Sequence, residues 1–93
     1  MRNPKAKGTR NEHRSRRLLE ASGYAVCRAA ARVGVWDLIG ISAADVVLCQ
    51  VKTRDWPGSA EMETLRDFPA PPNARKLIHR WRERQRMPDV RTV

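Results

Sequence analysis

Acidic residues are in short supply: ten Asp and Glu stand against nineteen Lys and Arg, a formal net charge of +9. Long apolar runs are missing as well, and none approaches the roughly 18 residues that a membrane-spanning helix requires. Residues 1–17 are charged where a secretory signal would carry its apolar stretch. Cysteine is sparse. Cys27 and Cys49 lie inside apolar segments and read as reduced core thiols, not as a disulfide or a zinc site. These absences exclude secreted, transmembrane and zinc-finger classes and leave a cytoplasmic protein. The five aromatics (Tyr24, Trp36, Trp56, Phe68, Trp81) do not interleave with the basic clusters as a stacking platform for single strands would.

What is present is enough for one core. The chain has 93 residues, 41% of them hydrophobic, which predicts a single domain over 1–93. A chain this short buries only about 60–65% of its unfolded surface, so pairing with a second copy would help stability. The charge is segregated. Residues 1–20 and 75–93 each carry seven basic and two acidic side chains, whereas 21–74 holds five basic and six acidic. Two cationic flanks around a near-neutral centre fit a polyanion gripped from both ends, with carboxylates needed between. A solvated basic surface is the blander reading. Nucleic acid accounts better for a pI near 11, and the placing of the aromatics favours duplex or branched DNA.

Residues 1–8 lack periodicity and read as a flexible basic arm. A helix is expected from Thr9 or Asn11 to a stop at Gly23. On its wheel Glu12, Ser15, Leu19 and Ser22 share a stripe, with Arg14 and Arg17 pointing away. Strands are expected over Tyr24–Ala31, Val35–Ile41 and Asp45–Lys52, the last two joined as a hairpin, with a turn at Arg32–Gly34. Val46 and Leu48 lie on one face of the third strand and Val47, Cys49 and Val51 on the other, so the sheet should be covered on both sides. A short helix from Ser59 to Asp67, a rigid Phe68–Pro72 connector, a strand over Lys76–Arg82 and an edge strand over Val90–Val93 complete the chain. The expected class is α/β: a small mixed central sheet flanked by helices, in the order α-β-β-β-α-β(-β).

Four residues stand out chemically: Glu12, Asp37, Gln50 and Lys52. Gln50 and Lys52 project from one face at the end of the third strand. Asp37 lies on the neighbouring strand of the hairpin, and Glu12 comes from the inward side of the helix. Two carboxylates and an amide oxygen around one point suit Mg²⁺ or Mn²⁺. Lys52 beside them would stabilise charge on a phosphodiester undergoing hydrolysis. Singly, each has a structural explanation: a helix N-terminal carboxylate, a turn-facing aspartate, a surface lysine. Together they are a sharper signal.

The residues that carry this pattern are K-G-T-R-N-E at 7–12, L-L-E-A-S-G-Y-A-V-C-R at 18–28, G-V-W-D-L-I-G at 34–40 and L-C-Q-V-K-T at 48–53. With gaps of 25 residues from Glu12 to Asp37 and 13 from Asp37 to Gln50, the chain resembles the PD-(D/E)XK nuclease superfamily. Within it the chain is similar to the archaeal-type Holliday junction resolvases, which are also phage-borne. The resemblance implies a restriction-endonuclease-like fold and metal binding by Glu12, Asp37 and Gln50, with the Val51 carbonyl as a further ligand. It implies Lys52 as the catalytic lysine and Mg²⁺ as the cofactor, with Mn²⁺ able to substitute. A homodimer acting on four-way-junction DNA is implied too, with no membrane and no small-molecule substrate. For a phage-encoded chain the compartment would be the host cytoplasm. The family usually has glutamate where this chain has Gln50, which leaves the expected ligand set at −2 instead of −3. It often has proline where Trp36 stands. An Mrr-like nuclease on duplex or flap DNA and a catalytically silent DNA-binding module of the same fold stay open as alternatives.

Phosphate contacts are expected from Lys5, Lys7, Arg10, Arg14 and Arg54 and from the 75–86 segment. Arg28 and Arg32, flanking the turn before Asp37, are placed to grip the strand being cut. His13 reads as a surface histidine, His79 as a packed one. Trp56 and Trp81 read as core or interface anchors more than as wedges into DNA.

Overall fold

The computed structural model describes residues 4–29 and 35–93, with the side chains of residues 4–7 outside the description. The elements are α1 (Pro4–Ala21), β1 (Ala25–Arg28), β2 (Leu38–Ile41), β3 (Val46–Thr53), α2 (Ser59–Asp67), β4 (Ala74–Trp81) and β5 (Asp89–Thr92). The five strands form one sheet in the order β1-β2-β3-β4-β5. Every pairing is antiparallel except β3 with β4. A parallel pair needs a crossover connection, and α2 supplies it. This is the mixed α/β architecture that the hydrophobic pattern predicts.

The alternation along β3 divides the core. Val47 and Cys49 pack with Leu19, Val26, Leu38 and Leu77 on the α1 side, and Tyr24 and Val51 close that cluster. Leu48 packs with Trp36, Met62, Leu65 and Ile78 on the α2 side. With both faces covered, β3 can carry an unbroken apolar run from Val46 to Cys49.

The helix ends follow local rules. Gly23 has φ +98°. Its N–H donates to the Glu20 carbonyl at 3.0 Å, and the Tyr24 N–H donates to the Leu19 carbonyl at 3.1 Å. That pair of bonds is a Schellman cap, and Leu19 and Tyr24 supply its apolar contact. At the end of α2, Lys76 Nζ donates to the Arg66 and Phe68 carbonyls at 2.8 and 2.7 Å and satisfies acceptors that the helix leaves open.

Three expectations are corrected. Residues 1–8 are not an arm from Pro4 onward, because the helix starts there. Proline suits the first turn of a helix, where its missing N–H costs nothing. The buried stripe of α1 keeps Ser15 and Leu19 from the expected one but has Asn11 in place of Glu12, with Glu12 at its margin and Ser22 exposed. Cys27 is an exposed free thiol, since the edge strand β1 buries Val26 alone.

Candidate active site

The site gathers at one end of the β2–β3 hairpin. Trp36, 2% exposed, packs edge-on against Phe68 with ring centres 5.8 Å apart and so anchors the chain just before β2. Asp37 follows. Its N–H donates to the Cys49 carbonyl at 2.9 Å, and its carbonyl accepts the Ala29 N–H at 2.8 Å. The ladder therefore continues one residue beyond β2 on both sides. The Asp37 side chain turns to the partner strand, and its Oδ2 accepts the Val51 N–H at 2.7 Å. Val51 lies between Gln50 and Lys52, so the aspartate is fastened to the tip that carries both.

Burial pushes the Asp37 carboxyl above the ordinary carboxylate range. The Val51 N–H pulls it back, the Glu12 charge adds to the rise, and Lys52 and Arg28 oppose it. Glu12 and Asp37 thus feel one another electrostatically. Glu12 Oε1 is held by Arg28 Nε at 3.2 Å, and the two line a shallow cleft with Thr9, His13, Arg16 and Leu38. Asn11, beside Glu12, is buried and donates from Nδ2 to Thr53 Oγ1 at 2.8 Å. This bond ties the helix turn bearing Glu12 to the end of β3.

Gln50 faces α2. Its Nε2 donates to the Val35 carbonyl at 3.2 Å and to Glu61 Oε2 at 3.3 Å, while its Oε1 is buried with no partner. Lys52 Nζ is 3.1 Å from Glu61 Oε1. Glu61, in the first turn of α2, is not among the site residues expected from the sequence. No local signal marks it, because its contacts depend on how α2 docks.

Among the described residues no three of His, Cys, Asp and Glu are gathered closely enough to hold a metal ion. The donors at the tip are hard oxygens: the Asp37 carboxylate, the Val51 carbonyl and the buried, unpartnered Gln50 Oε1. That set fits Mg²⁺, which takes few protein ligands and keeps its waters.

The expected phosphate-binding residues fare unevenly. Arg10 and Arg54 are exposed. Arg14 does not point away. Its guanidinium lies 3.9 Å over the Trp81 ring and donates to the Gln85 carbonyl, because Trp81 at the end of β4 lies beneath α1. The side chains of Lys5 and Lys7, and all of Arg32, fall outside the described residues. In the 75–86 segment Lys76 caps α2, and Arg80 and Arg82 both pair with Asp89, at 2.6 and 3.3 Å. Arg80 also stacks on Trp56, as does Arg91. Much of the C-terminal charge is spent inside the fold. His79 and Trp81 are core residues as expected. Ser15 Oγ accepts the Trp81 Nε1–H at 2.8 Å and lies 2.9 Å from His79 Nδ1.

The fold is α/β, a mixed five-stranded sheet with two helices. The chain is similar to the solved structure of Hjc, a Holliday junction resolvase from the archaeal hyperthermophile Archaeoglobus fulgidus: TM-score 0.69, 23% identity, over 92% of this chain and 70% of that one. No protein-family model and no curated protein matches the sequence.

Proposed function

We propose that this chain is a metal-dependent, structure-selective endonuclease that hydrolyses phosphodiesters in branched DNA, most specifically a Holliday junction resolvase working as a homodimer. The observation that carries the reading is the Asp37–Val51 hydrogen bond, which sets a half-buried carboxylate at the tip bearing Gln50 and Lys52. The likeness of the fold to an archaeal junction resolvase supports it.

Asp37, Gln50 Oε1 and the Val51 carbonyl would hold a divalent cation, with Glu12 alongside. When bound, Mg²⁺ or Mn²⁺ supplies charge neutralisation at the phosphodiester and activation of water. Lys52 offers its ammonium to the oxygens on which charge builds as the bond breaks. Arg28, paired with Glu12, would hold the adjoining phosphate. The remaining exposed cations would bind backbone without reading bases, so the shape of the DNA selects the substrate.

The test is cleavage of a synthetic four-way junction, a flap and a linear duplex at one salt concentration, with and without Mg²⁺ or Mn²⁺. Paired symmetric nicks confined to the junction support the resolvase. Equal cutting of duplex or flap supports a nuclease of broader, Mrr-like range. A second reading, a silent DNA-binding module, is favoured by Gln50, a neutral amide where the resembling family usually has a carboxylate. Metal-independent binding with no cleavage of any substrate would establish it.

A further inference from the structure

We propose that Glu61, in the first turn of α2, is a positioning residue of this site: it fixes the Gln50 amide so that its oxygen is the free end, and it anchors the Lys52 ammonium beside it. The functional half of this rests on the nuclease reading above. The structural half does not.

Gln50 is 4% exposed, so its amide has to find partners within the protein. The two partners it meets, the Val35 carbonyl and Glu61 Oε2, are both acceptors. Only the amino end of the amide satisfies them. Reversing it would set Oε1 against two other oxygens and strand both N–H groups. The orientation is thus dictated by the surroundings, and Oε1 becomes the buried acceptor without a partner. The other oxygen of the same carboxylate takes Lys52 Nζ at 3.1 Å. One glutamate from the crossover helix therefore clips two residues that share a face of β3.

The charge count changes accordingly. The side chain at 50 carries no charge, and Glu61 brings a carboxylate from α2 to within 3.3 Å of its amide nitrogen. The two positions are then mutually exclusive. A glutamate at 50 would face Glu61 and the Val35 carbonyl with no proton to offer either. Exchanging the two side chains restores a donor–acceptor match between 50 and 61 and leaves only the Val35 carbonyl without its donor.

The experiment compares the wild type with Gln50→Glu, Glu61→Gln and the exchanged Gln50→Glu/Glu61→Gln double variant. Three measurements are made: thermal melting of the metal-free proteins, Mn²⁺ binding by calorimetry, and junction cleavage with kcat and KM separated. Gln50→Glu should melt below wild type, and the exchanged chain should recover at least half of the loss. Glu61→Gln keeps only one acceptor for two donors. It should weaken Mn²⁺ binding about tenfold and lower kcat with KM unchanged, a split that a purely structural role would not produce. Additive melting shifts, with the exchanged chain as unstable as the two single changes combined, would overturn the pairing. Unchanged Mn²⁺ affinity and kcat in Glu61→Gln would overturn the positioning role. A wild type that neither binds Mn²⁺ nor cuts DNA, yet shows the recovery in melting, would instead sink the nuclease reading and leave the pairing standing.

Discussion

The Asp37 carboxylate and the Val51 N–H, 2.7 Å apart, join the start of one hairpin strand to the far end of the other. Because this is a side chain holding backbone, architecture and chemistry can be separated at a single position. Asparagine keeps an oxygen for the Val51 N–H and loses the charge, an NH2 group replacing the second oxygen.

Asp37→Asn should therefore abolish cleavage while leaving junction binding intact. Its effect on stability has the opposite sign from that of an ordinary ligand loss. Burial raises the carboxyl of the folded protein above its usual range, so at neutral pH the native state bears the cost of the charged form. The amide removes that cost. The metal-free variant should melt at or above the wild-type temperature at pH 7. A clear drop there would mean that the charge itself holds the hairpin together.

Lys52→Ala removes a cation that is 3.1 Å from Glu61 and part-exposed. An ion pair of this kind adds little to stability, under about 1 kcal/mol. Loss of a contact to the charge developing during hydrolysis costs about 10²–10³ in rate. Single-turnover cleavage should fall by that factor with little change in melting temperature. Parental cleavage rates would remove Lys52 from the reaction.

His79 contributes to the acid side of the stability profile. It is buried against Ser15, and burial lowers its pKa from 6.5 to about 4. A base whose pKa is depressed on folding takes up its proton more readily when unfolded. Its contribution is complete above pH 6.5 and is lost progressively down to about pH 4. The depression corresponds to about 3 kcal/mol at most. Urea unfolding at pH 7 and pH 4.5 should show a decline of that order, flattened in His79→Gln, whose side chain is uncharged across the window.

The hairpin half of the site was legible because strand periodicity is strict. Asp37 before Leu38, and Gln50 and Lys52 two residues apart, fall where a short hairpin must bring them together. The helix half was less so. A wheel identifies a stripe but not which residue points deepest, so the buried turn was assigned to Glu12 when Asn11 occupies it, bonded to Thr53 more than forty residues away. Glu61 was invisible as a site residue for the same reason: its partners depend on how the crossover helix docks, which no local pattern encodes. Charge counting also overstated the cationic surface. Asp89 takes up both Arg80 and Arg82, and Trp56 and Trp81 carry stacked guanidiniums.

That last point separates two arginines that look alike in the sequence. Arg10 is exposed; Arg14, one helical turn later, is laid over the Trp81 ring at 3.9 Å. With about six phosphates neutralised, log Kd against log salt should have a slope near 5 in magnitude, each contact contributing about 0.9. Arg10→Ala should reduce that slope by about one and leave the melting temperature unchanged. Arg14→Ala should leave the slope intact and lower stability by about 1 kcal/mol, the worth of a partly desolvated cation–π contact. Junction binding by fluorescence anisotropy across a salt series, run beside urea denaturation of the same proteins, distinguishes the roles. The reverse outcome, a slope that drops in Arg14→Ala and a stability loss in Arg10→Ala, would show that Arg14 leaves Trp81 to meet DNA and that Arg10 belongs to the folded scaffold.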